Sequence, residues 1–192
     1  MRLFDVCVLM FGAVAAGAEW PQWGGPARDF RLPPGVQVPV WPATGPKQVW
    51  ARDLGDGYSS MLMSGNALYT MYRRGSQDVV IALDPATGKT VWETGIDAPH
   101  RSGMNVEAGP GPHSTPLIVG DRVFVTTVMA QLVALDRSTG KRLWARDLWT
   151  DHKGTFLERG YAASPLGYKD SVVVPVGGPG RAVDPCPLLQ NC

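Results

Sequence analysis

Charge of one sign is what this sequence most lacks. Its 18 lysines and arginines meet 17 aspartates and glutamates, leaving a formal net charge of +1, so no long-range field gathers a polyanion. The basic residues are scattered apart from the pairs Arg73-Arg74 and Lys141-Arg142, and nucleic acid is excluded as a partner. Long apolar runs are missing beyond the first eighteen residues. No transmembrane segment is expected, because nothing later approaches the ~20 apolar residues that cross a bilayer.

Catalytic signatures are equally thin. His100, His113 and His152 stand 13 and 39 residues apart, in no spacing typical of a metal site or a nucleophile relay. Only His113 precedes a candidate inner strand, from which it could face a central channel. Ser114, Thr115 and Ser164 have no adjacent base, and Gly-x-Ser-x-Gly is absent. Gly109-Pro110-Gly111-Pro112 lacks the Lys-Ser or Lys-Thr of a phosphate loop, and Gly177 to Arg181 opens no recognisable helix, so both read as turns. Asn105 and Glu107 read as solvated loop residues. No catalytic, cofactor-binding or metal-binding residue is therefore assigned.

What is abundant is punctuation. The chain holds 23 glycines and 17 prolines in 192 residues, spread between short apolar runs in the manner of many strands and many turns. The first eighteen residues stand apart. Arg2 gives a positive start, Val6 to Val14 is apolar, and Ala16-Gly17-Ala18 suits cleavage before Glu19, so residues 1–18 read as a signal peptide that carries Cys7 away with it. The mature chain is then expected in the periplasm or outside the cell.

After Glu19 one pattern repeats. Leu83-Asp84-Pro85-Ala86-Thr87-Gly88-Lys89-Thr90-Val91-Trp92 is matched 52 residues on by Leu135-Asp136-Arg137-Ser138-Thr139-Gly140-Lys141-Arg142-Leu143-Trp144. In each, the carboxylate of Asp84 or Asp136 can cap backbone N–H groups, and Gly88 or Gly140 accepts the positive φ that ends the turn. Alternating with these copies run hairpins of a second kind, such as Ser114-Thr115-Pro116 and Ala163-Ser164-Pro165, 49 residues apart. Four short strands then recur in every 40–50 residues or so, which is a propeller blade. The fold class is all-β: a partial β-propeller of about two and a half four-stranded antiparallel blades.

The expected organisation is a signal at 1–18, an extended segment at 19–46, a partial propeller at 47–180 and a non-repeat tail at 181–192. Within the propeller, an outer strand at 47–54 precedes blade one at 57–95, blade two at 113–148 and an incomplete blade three at 161–180. Trp50, Trp92 and Trp144 are read as structural, filling the gaps between neighbouring blades. Cys186 and Cys192, with five residues between them, can form a disulfide in an oxidising compartment or remain free thiols.

The doubled Leu-Asp-x-x-Thr-Gly-Lys-x-x-Trp run, with Glu19-Trp20-Pro21-Gln22-Trp23-Gly24-Gly25 and Gly57-Tyr58-Ser59-Ser60, resembles the quinoprotein-like β-propeller repeats of exported bacterial proteins. That family includes pyrroloquinoline-quinone dehydrogenases and a non-enzymatic outer-membrane assembly lipoprotein. The resemblance implies a closed ring of more blades than this chain holds, so the chain reads as truncated. In the dehydrogenases it also implies an adjacent cysteine pair over the quinone and a calcium ion held by Glu and Asn. Cys186 and Cys192 are not adjacent, and no motif ties Asn105 and Glu107 to calcium. The favoured expectation is a non-catalytic binding or scaffold module without cofactor, whose partner is a protein, polymer or small ligand. The alternative is a fragment of a pyrroloquinoline-quinone-dependent alcohol or sugar dehydrogenase using the quinone with calcium.

Overall fold

The structure is a computed structural model, and it describes residues 19–36, 40–107, 109–177 and, as backbone, 184–187. The expected signal peptide, Cys7 and Cys192 lie outside these residues. Among the described residues eleven strands and one short helix follow each other. The first antiparallel sheet comprises β1 (Leu62–Ser64), β2 (Ala67–Arg74), β3 (Gln77–Leu83) and β4 (Thr90–Asp97), in that order. The second repeats the order with β5 (Leu117–Val119), β6 (Arg122–Thr126), β7 (Gln131–Asp136) and β8 (Arg142–Asp147). A single helical turn, α1 (Leu148–Asp151), follows, capped by the Asp147 carboxylate on the Trp149 and Thr150 N–H groups. The third sheet holds β9 (Leu166–Tyr168), β10 (Ser171–Val174) and β11 (Asp184–Pro187), with β10 in the middle.

These are the expected blades, all-β and unclosed. One element was not anticipated: β11 falls in the segment expected to lie outside the repeat, and pairs antiparallel with β10 from Ser171↔Pro187 to Val174↔Asp184. Pro185 and Pro187 cannot donate to a ladder, but their restricted φ suits an extended edge strand. Conversely, residues 47–54 form no regular strand among the described residues.

The core sits between sheets. Strands β3 and β7 are buried on both faces, and their period-two alternation sends successive side chains to different neighbours. Val80 and Ala82 join Tyr69, Met71 and Trp92 against Val123, Val125, Val133 and Leu135 of the second sheet. Phe124, Leu132 and Trp144 pack instead with Val172 and Val174 of the third, while Val79, Ile81 and Leu83 turn to Trp50 and Leu54. In both complete sheets the tryptophan faces an alanine across the ladder, Ala82↔Trp92 and Ala134↔Trp144, and the register shifts just beyond. The small residue leaves room for the indole. Near the N-terminus Trp20 forms an antiparallel bridge with Met63, and Pro21 accepts a hydrogen bond from the Ile118 N–H. This strap joins the first strands of sheets one and two.

Candidate functional site

Two sets of residues repeat from sheet to sheet. At the tryptophan edge, Asp84 Oδ1 accepts from the Ala86 and Thr87 N–H groups and the Thr87 hydroxyl. Asp136 Oδ1 accepts from the N–H and hydroxyl of both Ser138 and Thr139. The Ser138 and Thr139 hydroxyls above all hold the Asp136 carboxyl down at about 2, and the Thr87 hydroxyl lowers Asp84 in the same way. Gly88 and Gly140 close the turns at φ +68° and +71°. Each glycine lies against an indole, and a Cβ on Gly88 would come within 2.6 Å of the Trp50 ring.

That closeness defines a socket. The Trp50 indole N–H donates to the Pro85 carbonyl at 2.9 Å, and two residues later Arg52 donates to the Gly88 carbonyl at 2.9 Å. The Trp92 indole donates to the Arg137 carbonyl at 2.9 Å, and two residues later the Thr94 hydroxyl donates to the Gly140 carbonyl at 2.7 Å. Trp50 and Trp92 thus each dock on the Asp-to-Gly turn of the blade that follows. Trp144, in contrast, has a buried indole nitrogen with no hydrogen-bond partner.

At the opposite edge, where the first strands approach one another, the Ser/Thr-Pro hairpins build a hydroxyl ladder. The Ser60 N–H donates to the Thr115 hydroxyl oxygen at 3.0 Å, and the Thr115 N–H to that of Ser164 at 2.8 Å. Each hydroxyl receives a backbone proton from the preceding blade. Beside the ladder opens a cavity of about 360 Å³ lined by Trp23, Tyr58, His113, Thr115, Ala163 and Ser164 among others. His113 stacks on Tyr58, with ring centres 5.4 Å apart. Burial holds its imidazole below the ordinary value, the Asp78 carboxylate opposing and the His100 ring assisting, so it faces the cavity neutral at pH 7. The arrangement offers hydroxyl protons, an imidazole and aromatic faces, which suits a planar ligand rich in acceptors.

Behind this cavity a buried ion pair ties the blades together. Arg73 donates to Asp78 Oδ1 at 2.8 Å and to the Ala98 carbonyl at 2.9 Å. The second oxygen of Asp78 accepts the Val128 N–H at 2.7 Å, from the next blade. Burial pushes the Asp78 carboxyl up against the pull of these partners.

Of the residues weighed from sequence, His113 lies in the cavity, with Thr115 and Ser164 as ladder hydroxyls instead of nucleophiles. His100 meets the Pro110 carbonyl at 2.9 Å, and the Asn105 side chain accepts from the Glu107 N–H. Among the described residues no group of three His, Cys, Asp or Glu could hold a metal. Cys186 lies on β11, and its pairing with Cys192 falls outside the described residues. Tyr58 and the Arg73–Asp78 pair went unassigned. The 49-residue echo of Ser/Thr-Pro was the visible trace of the ladder.

The family model described as outer membrane protein assembly factor BamB, a PQQ-type repeat, matches residues 39–185. Among curated proteins, the chain is 31% identical over 180 residues to the 1-butanol dehydrogenase (cytochrome c) of Thauera butanivorans, covering 89% of this chain and 24% of that protein. It is 26% identical over 166 residues to the quinohemoprotein alcohol dehydrogenase ADH IIB of Pseudomonas putida, covering 85% and 23%. The solved quinohemoprotein alcohol dehydrogenase ADHIIG of Pseudomonas putida shares the fold with TM-score 0.51 and 22% identity, over 73% of this chain and 20% of that one. The chain therefore spans about a quarter of the length of the curated relatives it matches. These names correct the expectation of a non-catalytic module: the relatives are dehydrogenases, and enzymatic activity is at least as well supported as its absence.

Proposed function

The chain belongs to the PQQ-type repeat family described as outer membrane protein assembly factor BamB, and from that premise we propose that it is a section of the propeller of an exported, quinone-dependent alcohol dehydrogenase. The observation that carries this reading is the match of 85–89% of the chain to alcohol-oxidising relatives. The calcium part of such a centre does not fit the residues present. The chain's three cysteines include no adjacent pair, and the described residues offer no metal-holding cluster, so no redox step is assigned to them. The cavity beside the hydroxyl ladder is the part that fits a planar, acceptor-rich quinone, through the Thr115 and Ser164 hydroxyls and the Tyr58–His113 stack. Within the proposal, the ladder's side chains orient the ligand and the neutral His113 offers one proton donor or acceptor beside it. Export rests on the leader at residues 1–18, and no helix among the described residues is long and apolar enough to cross a membrane.

Titration with pyrroloquinoline quinone, followed by quenching of tryptophan fluorescence, tests the reading. Saturable binding should weaken about tenfold in Tyr58→Ala, by the loss of one stacking face. No saturable uptake, with or without calcium, would refute the proposal.

A further inference from the structure

The cavity beside the hydroxyl ladder lacks fixed positive charge. None of the described side chains that line it is a lysine or an arginine, and His113 is the one that can become a cation near neutral pH. Arg73, behind the cavity, is committed to the Asp78 carboxylate and the Ala98 carbonyl. The imidazole itself is held at the wall. It stacks on Tyr58 with 27° between the rings. The Pro112 carbonyl just before it accepts the Tyr58 N–H at 2.9 Å, and the Ser114 hydroxyl just after it donates to the Thr126 carbonyl. Groups on the surrounding elements bear on its charge. Tyr58, ahead of β1, lies against one ring face. The Asp78 carboxylate on β3 favours a proton on His113, the His100 ring in the loop after β4 disfavours one, and Arg73 on β2 tempers Asp78 by pairing with it. The stretch 162–164 brings no titratable group to the wall. Burial outweighs the rest and keeps the ring neutral at pH 7.

Resting on the reading of this cavity as the quinone site, we infer that it takes its ligand as an anion and that His113 gains a proton to receive it, so that acid loads the site and alkali empties it. The ligand class is a planar, carbonyl-rich molecule bearing carboxylates, of which pyrroloquinoline quinone, a tricarboxylate, is one. The Thr115 and Ser164 hydroxyl oxygens each accept a backbone proton already, so what they offer a ligand is foremost a donor. A carboxylate set beside a neutral imidazole loses hydration without gaining a counter-charge. Beside an imidazolium it gains a charge and a donor together. An opposite charge ~4–6 Å away raises a histidine's pKa by about 1–3, and binding and protonation then favour each other by the same factor. Above the values of both the free and the loaded site, pH has no effect. Between them affinity rises about tenfold per pH unit as pH falls, and below both the gain is complete.

Quenching of tryptophan fluorescence by pyrroloquinoline quinone is measured on the whole chain across pH, beside the trimethyl ester of the same quinone, which keeps the plane and the carbonyls and drops the charges. The dissociation constant of the tricarboxylate should fall about tenfold from about pH 8 to about pH 5.5, and that of the ester should stay level. His113→Gln should flatten the tricarboxylate's profile while leaving weak binding in place. The His113 ring protons, followed by nuclear magnetic resonance, should titrate at higher pH in the loaded site than in the free one. The ester and resonance arms need no substitution, so a variant that fails to fold leaves the test intact. A tricarboxylate profile that is flat, or equally steep in His113→Gln or with the ester, would overturn the inference and leave the quinone site standing. The pH response would then be absent or belong to another group, such as Asp78. No uptake of either compound at any pH would instead remove the quinone reading itself, and the inference with it.

Discussion

A single carboxylate organises each turn, and the consequence is a defined response to acid. Asp136 accepts four hydrogen bonds through Oδ1 and its carboxyl sits at about 2, below the roughly 3.9 of an unfolded aspartate. A depressed carboxylate contributes stability that is fully present above the unfolded value and is lost as pH falls through the folded one. The window is therefore pH 4 to 2. Asp84 is depressed in the same direction and adds to the effect. Asp136→Asn should lower the melting temperature at neutral pH and shrink the further drop between pH 4 and pH 2, as followed by circular dichroism. An acid drop as large as the wild type's would show that the turn does not respond to its carboxylate.

Within a sheet the strands are held by their ladders, and from one blade to the next they are held by groups that cross. Asp78 on β3 belongs to the first sheet, but half of its hydrogen bonding comes from Val128, just beyond β6. Its partner Arg73 on β2 is 7% exposed and also holds the Ala98 carbonyl. Removing one member of such a pair leaves an uncompensated buried charge, which costs about 3–5 kcal/mol. Asp78→Asn should therefore destabilise the chain by that amount in urea unfolding, whereas the double change Arg73→Met with Asp78→Leu should cost far less. Equal losses in the single and double variants would refute the account. These crossing contacts also mark where sequence reading stops. The Asp-to-Gly turns and the tryptophans were legible because their chemistry is local and doubled. Thr115 and Ser164 carried no sign of their partners, because the ladder depends on how far apart two blades settle. Strand β11 was hidden because prolines at 185 and 187 obscure a strand pattern that only the edge position permits.

At the scale of the whole molecule, three sheets pack side by side without closing. Large apolar side chains stay in water along the N-terminal segment, among them Val40 at 97%, Val49 at 77%, Phe30 at 63% and Trp41 at 62% exposure. Together with the edge of β11, which carries no partner strand among the described residues, these make a surface prone to association. Residues 19–192 should self-associate and melt with weak cooperativity, measured by light scattering and calorimetry. A monodisperse monomer with a sharp, reversible transition would instead mark the chain as a compact unit in its own right.

The tryptophan sockets point one way along the chain, each indole reaching forward to a turn that comes later, and that direction sets a timetable for synthesis. Trp92 waits 45 residues for the Arg137 carbonyl. At roughly 5–20 residues per second on a ribosome, the delay is about 2–9 s. A nascent chain therefore always trails one unsatisfied indole behind its growing end, and each completed blade is sealed only when its successor emerges.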